Sequence, residues 1–246
     1  MYLGEALLPG AGEAIARLRA LDRRIAFLSN NPTRTPAEYA AKLTALGVPA
    51  TEGDVINSTQ VLVEMLREEA PGARVFPIGE APLHEALAAA SFVLEGDASR
   101  VDVVIASFDR TFAYPKLQVA FDAIRAGARF LATNGDRYCP VPGGGEPDAA
   151  AVIAAIEACT GVACEAIVGK PSAHAAATIL RTLELDPEEC LMTGDRLETD
   201  VEMGLRAGMD AALTLTGATD RDELEASPVR PTCVVTGLAE LVPPDA

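Results

Sequence analysis

Short apolar runs rich in β-branched residues alternate along this chain with longer alanine- and leucine-rich stretches, and that alternation limits the fold more than any other feature. The short runs are "RIAFLS" (24–29), "ARVFPIG" (73–79), "VDVVIAS" (101–107), "ARFLAT" (128–133), "EAIVG" (165–169), "CLMTG" (190–194), "AALTL" (211–215) and "TCVV" (232–235). Between them lie "PAEYAAKLTALG", "LHEALAAA", "YPKLQVAFDAIRAG", "DAAAVIAAIEACTG", "SAHAAATILRTLEL" and "ETDVEMGLRAG". Each long stretch repeats apolar residues at three- and four-residue spacing, and several stop at glycine, as helices do. Strands separated by helices must be joined by crossovers, which gives a mostly parallel sheet covered on both faces. The expected fold is therefore α/β, a doubly wound parallel sheet.

Composition narrows the function classes. With 49% apolar residues, 246 positions suffice for a large core, or for a core with a smaller insert. A formal charge of −16 repels phosphate backbones, so nucleic acid is not an expected partner. A small anionic substrate would need a local positive group or a metal. The 5 cysteines are scattered and form no CxxC pair, which suits reduced thiols in a cytoplasm better than disulfides or a zinc site. No run has membrane-spanning length and no signal peptide is visible, so no membrane partner is expected. One break stands out. "GDRYCPVPGGGEPD" (135–148) is rich in Gly and Pro and too long for an ordinary connection, as lids and binding loops are.

In an open parallel sheet, ligands bind beyond the carboxyl ends of the strands. Three runs deliver polar groups there: Ser29, Asn30 and Asn31 after the first, Lys170 after "AIVG", and Asp195 with Asp200 after "CLMTG". A hydroxyl with backbone amides, a lysine and two carboxylates are what phosphoryl transfer with Mg²⁺ requires. Each also has a plainer explanation. "SNN" makes turns and helix caps, a strand-end lysine is usually solvated, and Pro171 suits a helix start. "GD" is a common turn, and Asp200 is favoured by a helix dipole in any case. Their order, each at a strand's carboxyl end, is what argues for a site.

Together these residues resemble the haloacid dehalogenase (HAD) superfamily of aspartate-based phosphatases. Its second motif is a strand ending in Ser or Thr, its third a lysine, and its fourth Gly-Asp followed by Thr-Asp. Ser29 in "FLSNNPTRT", Lys170 in "VGKPS" and Asp195 with Asp200 in "GDRLETD" match them. The likeness is closest to class IIA, the nucleotidase and nitrophenyl- or phosphoglycolate-phosphatase type. "SNNPTRT", "DRTFAYPKL", "ARFLATNGD" and "VGKPS" carry it over essentially the whole chain.

The resemblance implies a Rossmann-like core (1–94 and 165–246) with an inserted α/β cap (95–164) that closes over the site and sets substrate choice. It implies a catalytic set of Ser29, Asn30, Lys170, Asp195 and Asp200. Mg²⁺ would be bound at Asp195 and Asp200, the latter orienting Lys170 or a metal-bound water. The substrate would be a small phosphorylated metabolite: a nucleotide monophosphate, a sugar phosphate or phosphoglycolate. Asn31, Asp109, Arg110, Asn134 and Asp136, with Tyr114 nearby, are candidates to face it. The four cap positions and Tyr114 read equally as cap turn or surface. Caps of this type often mediate dimers, so a homodimer is expected. One departure concerns the cap: the family's small-residue "PGAG" stretch is replaced here by "EPDAAA" (146–151).

The family's first motif, Asp-x-Asp-Gly-Thr/Val at the end of the central strand, carries the nucleophile and the general acid/base. It does not occur in residues 1–246. "MYLGEALLPGAG" matches the family's continuation after that motif, which places the motif directly before Met1. "DRD" (220–222) has similar spacing but ends no buried strand. Residues 1–246 by themselves, with the central strand cut short, are expected to turn over little or nothing. Three alternatives stand: a phosphatase whose start lies further upstream, a truncated non-catalytic relative that binds phosphorylated metabolites or serves a structural role, or another doubly wound protein of receiver-like or nucleotide-binding type. The lysine and "GDxxxTD" spacings fit the last badly.

Overall fold

A computed structural model describes residues 1–4, 6–141 and 143–242. The chain divides into two compact units. The first takes Met1–Phe27, Ala37–Val55 and Lys170–Ala246, and the second Leu28–Pro36 and Ile56–Gly169.

The second unit is built on a five-stranded sheet in the spatial order Ala166–Ile167, Arg129–Ala132, Val103–Ala106, Arg74–Ile78, Val93–Leu94. Every neighbouring pair is parallel. Val103, Val104, Ile105 and Ala106 are all buried, as expected where helices cover both faces of a parallel sheet. Helices Tyr114–Arg125 and Ala149–Thr160 supply Ala120, Ala123, Ile124, Val152, Ile153 and Ile156 to a core shared with Ile78, Val104, Ala106 and Phe130. The spatial order reverses between Arg74–Ile78 and Val103–Ala106, which makes this sheet doubly wound. Arg74–Ile78 and Val93–Leu94 belong to the same sheet as the later strands, so the sheet begins well before residue 95, where the expected cap segment started.

Two further elements of this unit are not among the periodic stretches of the sequence. Helix Ser58–Glu69 starts from a capping box. The Asn57 side chain accepts the amide of Gln60, and the Gln60 side chain accepts the amide of Asn57. The Gly/Pro-rich break is no open loop: Tyr138–Val141 pairs antiparallel with Gly144–Pro147.

The first unit holds a three-stranded parallel sheet, ordered Leu191–Gly194, Asp210–Thr214, Cys233–Val235. Leu197 and Val201 pack on Ala211 and Leu213. A second cluster gathers Ile15 from helix Ala11–Ala20 with Tyr39, Ala40 and Leu43 from helix Pro36–Ala45, against Val48 and Val55. Helix Ala173–Leu183 is capped by Ser172, whose hydroxyl accepts the Ala175 amide at 3.1 Å. The cap is thus Ser172, and Pro171 precedes it. Short strands Phe27–Ser29 and Val55–Asn57 pair where the chain passes from one unit to the other.

Candidate active site

In the first unit, strand Leu191–Gly194 ends at Asp195, and the chain then takes a wide turn, Leu197–Val201, of π-helical form. The amides of Asp200 and Val201 both point to the Arg196 carbonyl, at 3.0 and 3.2 Å. That extra residue in the turn swings Asp200 back over the strand end, and such bulges are common at functional sites. One carboxylate oxygen of Asp200 then accepts the amides of Asp195 and Arg196, each at 3.2 Å. The other accepts the Lys170 ammonium at 2.6 Å. This ion pair is largely dry, with 14% of the Lys170 side chain and 5% of that of Asp200 exposed. A Cβ on Gly194 would overlap the Asp200 carboxylate, so only glycine permits this approach.

Asp195 is tied from the other side. Its Oδ2 accepts the Ala218 amide at 2.8 Å and its carbonyl accepts the Thr219 amide at 3.0 Å. The α-amino group of Met1 lies within electrostatic range of Asp195 and Asp200. Burial lowers its pKa, against the opposing pull of the two carboxylates.

In the second unit, Ser29, Asn30 and Asn31 form a braced loop. The Ser29 hydroxyl accepts the Asn31 amide at 3.2 Å, and Asn31 Oδ1 accepts the amide and hydroxyl of Thr33 at 2.9 and 2.6 Å. The turn-forming reading of "SNN" therefore holds for the Asn31 side chain. From beneath, Ser58 donates to the Asn30 carbonyl at 2.6 Å and Asn57 to the Arg34 carbonyl at 2.9 Å. A Cβ on Gly169 would stand 2.6 Å from Asn30 Oδ1 and 2.7 Å from the Thr133 carbonyl, so a side chain there would displace this loop.

The remaining candidates lie in the same unit, and Asp109, Arg110, Asn134 and Asp136 are engaged by protein groups. Asp109, its side chain fully buried, holds Thr111 and the Lys116 ammonium, the latter at 2.5 Å. Arg110 makes a two-pronged bond to Glu80, 2.7 Å on each arm, and reaches Glu146 at 3.6 Å. The guanidinium holds the Glu80 carboxyl below its usual range. Arg110, Glu80, His84 and Thr111 line an open cavity of about 660 Å³ at the switch point of the sheet. Asn134 is wholly buried, donating to Asp148 at 3.0 Å and to Asp136 at 3.3 Å. Tyr114 is 75% exposed.

Among the described residues, no group of three or more His, Cys, Asp or Glu side chains could hold a metal ion. Mg²⁺ needs several oxygen ligands. Asp195 is a carboxylate at the strand end, but both oxygens of Asp200 already serve Lys170 and two amides. The donors among the described residues therefore do not complete a Mg²⁺ site, and Asp200 Oδ1 is taken up by the Lys170 ammonium. Sequence reasoning missed Ala218, Cys139 and Asp148. Only Asp148 had left a signal, standing where the resembled family has a small residue.

Residues 1–93 match a family model described as haloacid dehalogenase-like hydrolase, and residues 167–241 one described as HAD-hydrolase-like. The chain is 33% identical over 242 residues to the acid sugar phosphatase of Staphylococcus saprophyticus, covering 98% of this chain and 93% of that protein. It belongs to the haloacid dehalogenase-like hydrolases. A second HAD relative, the 5'-nucleotidase YutF of Bacillus subtilis, is 32% identical over 243 residues, 99% of this chain and 94% of YutF. The crystal structure of a 4-nitrophenylphosphatase from Thermotoga maritima superposes with a TM-score of 0.93 at 34% identity, covering 98% of this chain and 91% of that one. The HAD fold is thus a Rossmann-like core with a cap, the branch is class IIA, and the chain is by family a phosphomonoester hydrolase. No helix among the described residues is long and apolar enough to cross a membrane.

Proposed function

We propose that this chain carries the substrate- and charge-handling part of a Mg²⁺-dependent phosphatase for small phosphomonoesters. The observation that carries this reading is the Lys170–Asp200 pair beside Asp195 at the carboxyl end of strand Leu191–Gly194. Lys170, fixed by Asp200, offsets the charge of a phosphoryl group. Ser29 and the amide of Asn30 hold a phosphoryl oxygen. Asp195 offers one carboxylate to Mg²⁺, and the other ligands come from outside residues 1–246. The reaction also needs a nucleophilic aspartate, and the Met1 nitrogen marks where the chain comes near Asp195 and Asp200. That aspartate attacks phosphorus in line, the alcohol leaves with a proton from its neighbouring aspartate, and water then hydrolyses the phosphoaspartate.

Relatives named for sugar phosphates, nucleotides and nitrophenyl phosphate support this substrate range. The unit formed by 28–36 and 56–169 is the part we assign to substrate choice, in place of 95–164 alone. Free cysteines suit a cytoplasmic setting, and a homodimer completes the reading.

The test compares residues 1–246 with a chain extended upstream through an Asp-x-Asp segment, using 4-nitrophenyl phosphate and Mg²⁺. The extended chain hydrolyses it and the short one does so at least about 10⁴-fold more slowly. Asp195→Ala in the extended chain removes activity. Equal turnover by both lengths, or an active Asp195→Ala, sinks the reading.

A further inference from the structure

The segment between Asn134 and Ala149 projects from the five-stranded sheet as an arm with a closed base. The Asp148 amide donates to the Arg137 carbonyl and the Ala150 amide to that of Asp136, each at 3.1 Å. Asn134 sits inside this closure. Its Nδ2 joins Asp136 on the outgoing limb to Asp148 on the returning one. Asp148 Oδ1 also caps helix Ala149–Thr160 through the Ala149 amide at 2.6 Å.

Two carboxylates can only accept at neutral pH, so the amide of Asn134 must face them and its Oδ1 must look the other way. There it accepts the Thr133 hydroxyl at 2.8 Å, and Thr133 lies 2.8 Å from the Ser107 hydroxyl. Each hydroxyl has one proton, which fixes the direction: Ser107 donates to Thr133, Thr133 to Asn134, and Asn134 to both limbs of the arm. All three are fully buried. Asp148 belongs to "EPDAAA", the place where the chain departs from the small residues of the family it resembles.

Beyond its base the arm touches the Ser29–Asn31 loop of the same unit. Asn31 Nδ2 donates to the Cys139 sulfur at 3.5 Å, and Cys139 pairs with Glu146, which Arg110 faces. We infer that Asn134 is a positioning residue. By joining the two limbs it holds Cys139 against Asn31, and so sets the loop assigned to the phosphoryl group. The inference rests on that assignment. Burial, and next the Asp148 carboxylate, push the Cys139 thiol above its usual pKa, so a docked arm keeps it slow to react.

The experiment uses the chain as it stands, alkylated with N-ethylmaleimide and mapped by mass spectrometry. Exposed Cys159, in the same unit, serves as internal reference. Asn134→Ala raises the Cys139:Cys159 labelling ratio about tenfold or more, because the freed arm exposes its thiol. Asp148→Asn keeps an oxygen for both Asn134 and Ala149 and leaves the ratio within about twofold. An unchanged ratio in a folded Asn134→Ala overturns the inference. Should circular dichroism find that variant unfolded, Thr133→Val, which removes the donor behind Asn134 and the acceptor of Ser107, decides in the same way.

Inorganic phosphate supplies a readout that bracing alone would not move. In the native chain it changes Cys139 labelling saturably, and in Asn134→Ala the midpoint moves to about tenfold higher concentration. Identical midpoints overturn the positioning role. If phosphate has no effect on the native chain, the phosphoryl assignment of Ser29–Asn31 fails, and the positioning of that loop for catalysis fails with it. The labelling ratio still decides whether Asn134 holds the arm.

Discussion

Both units end parallel strands in polar side chains, but they spend those side chains differently. After strand Leu191–Gly194 come Asp195 and Asp200, with Lys170 bound to the latter. After Val103–Ala106 and Arg129–Ala132 come Ser107, Thr133 and Asn134, a sequence of uncharged donors that closes on the chain itself. Taking charges out of water is costly, and their mutual attraction often only offsets the loss. A pair such as Lys170–Asp200 is therefore weak evidence for stability and better evidence for chemistry. A satisfied neutral network rigidifies its surroundings at little electrostatic cost. The carboxyl edge of a parallel sheet thus carries a buried charged pair in one unit and a network of neutral donors in the other.

Three substitutions probe that contrast. The largest effect is expected from Asp200→Ala, which strands the Lys170 ammonium and releases the amides of Asp195 and Arg196. A loss of about 3–5 kcal/mol should appear in urea unfolding monitored by circular dichroism. A loss below about 1 kcal/mol would place the pair in the class of solvated surface bridges and end the contrast. Thr133→Val, which leaves Asn134 Oδ1 and the Ser107 hydroxyl short of an uncharged partner, should cost less, about 1–3 kcal/mol in the same assay. A cost as large as that of Asp200→Ala would mean that the two edges are energetically alike.

The smallest effect concerns a half-exposed pair in the second unit. Hydrogen bonds from the Arg74 side chain and amide hold the Asp102 carboxyl down at about 2. Its folded pKa is depressed, so its contribution is complete above the ordinary carboxylate value of 3.8 and is lost as pH falls toward about 2. In Arg74→Ala the Asp102 midpoint should rise toward the ordinary value in a carbon-detected NMR titration. No rise would mean that the side-chain bonds do not carry the shift.

The strand runs were the most legible part of this molecule, because a strand buried on both faces writes itself as continuous apolar sequence. Every expected run contains or overlaps a strand. Val55–Asn57 and Val93–Leu94 escaped because so few residues carry no period. The arm escaped for another reason: its pairing is made by the backbone of Gly144–Pro147 against Tyr138–Val141, while its composition says loop. At the site, the residue types of Ser29, Lys170, Asp195 and Asp200 were readable, as was Asp200 as a partner of Lys170, and the backbone amides that hold Asp195 and Asp200 were not. That Asp200 spends both oxygens inside the protein depends on a π turn no residue announces. That Asn134 and Asp109 are buried depends on long-range packing, while the groups that occupy them lie within 14 residues along the chain.

The closure at the base of the arm separates two kinds of sequence freedom. Residues 134–137 and 148–150 form a fixed socket, joined by side chain and backbone, and between them Cys139 meets Asn31 and Glu146 faces Arg110, both loop residues beyond the strand ends. Length and chemistry within 138–147 can therefore drift with little penalty to the sheet below. A lineage could exchange that insert as a cassette and acquire new selectivity while the scaffold stays the same.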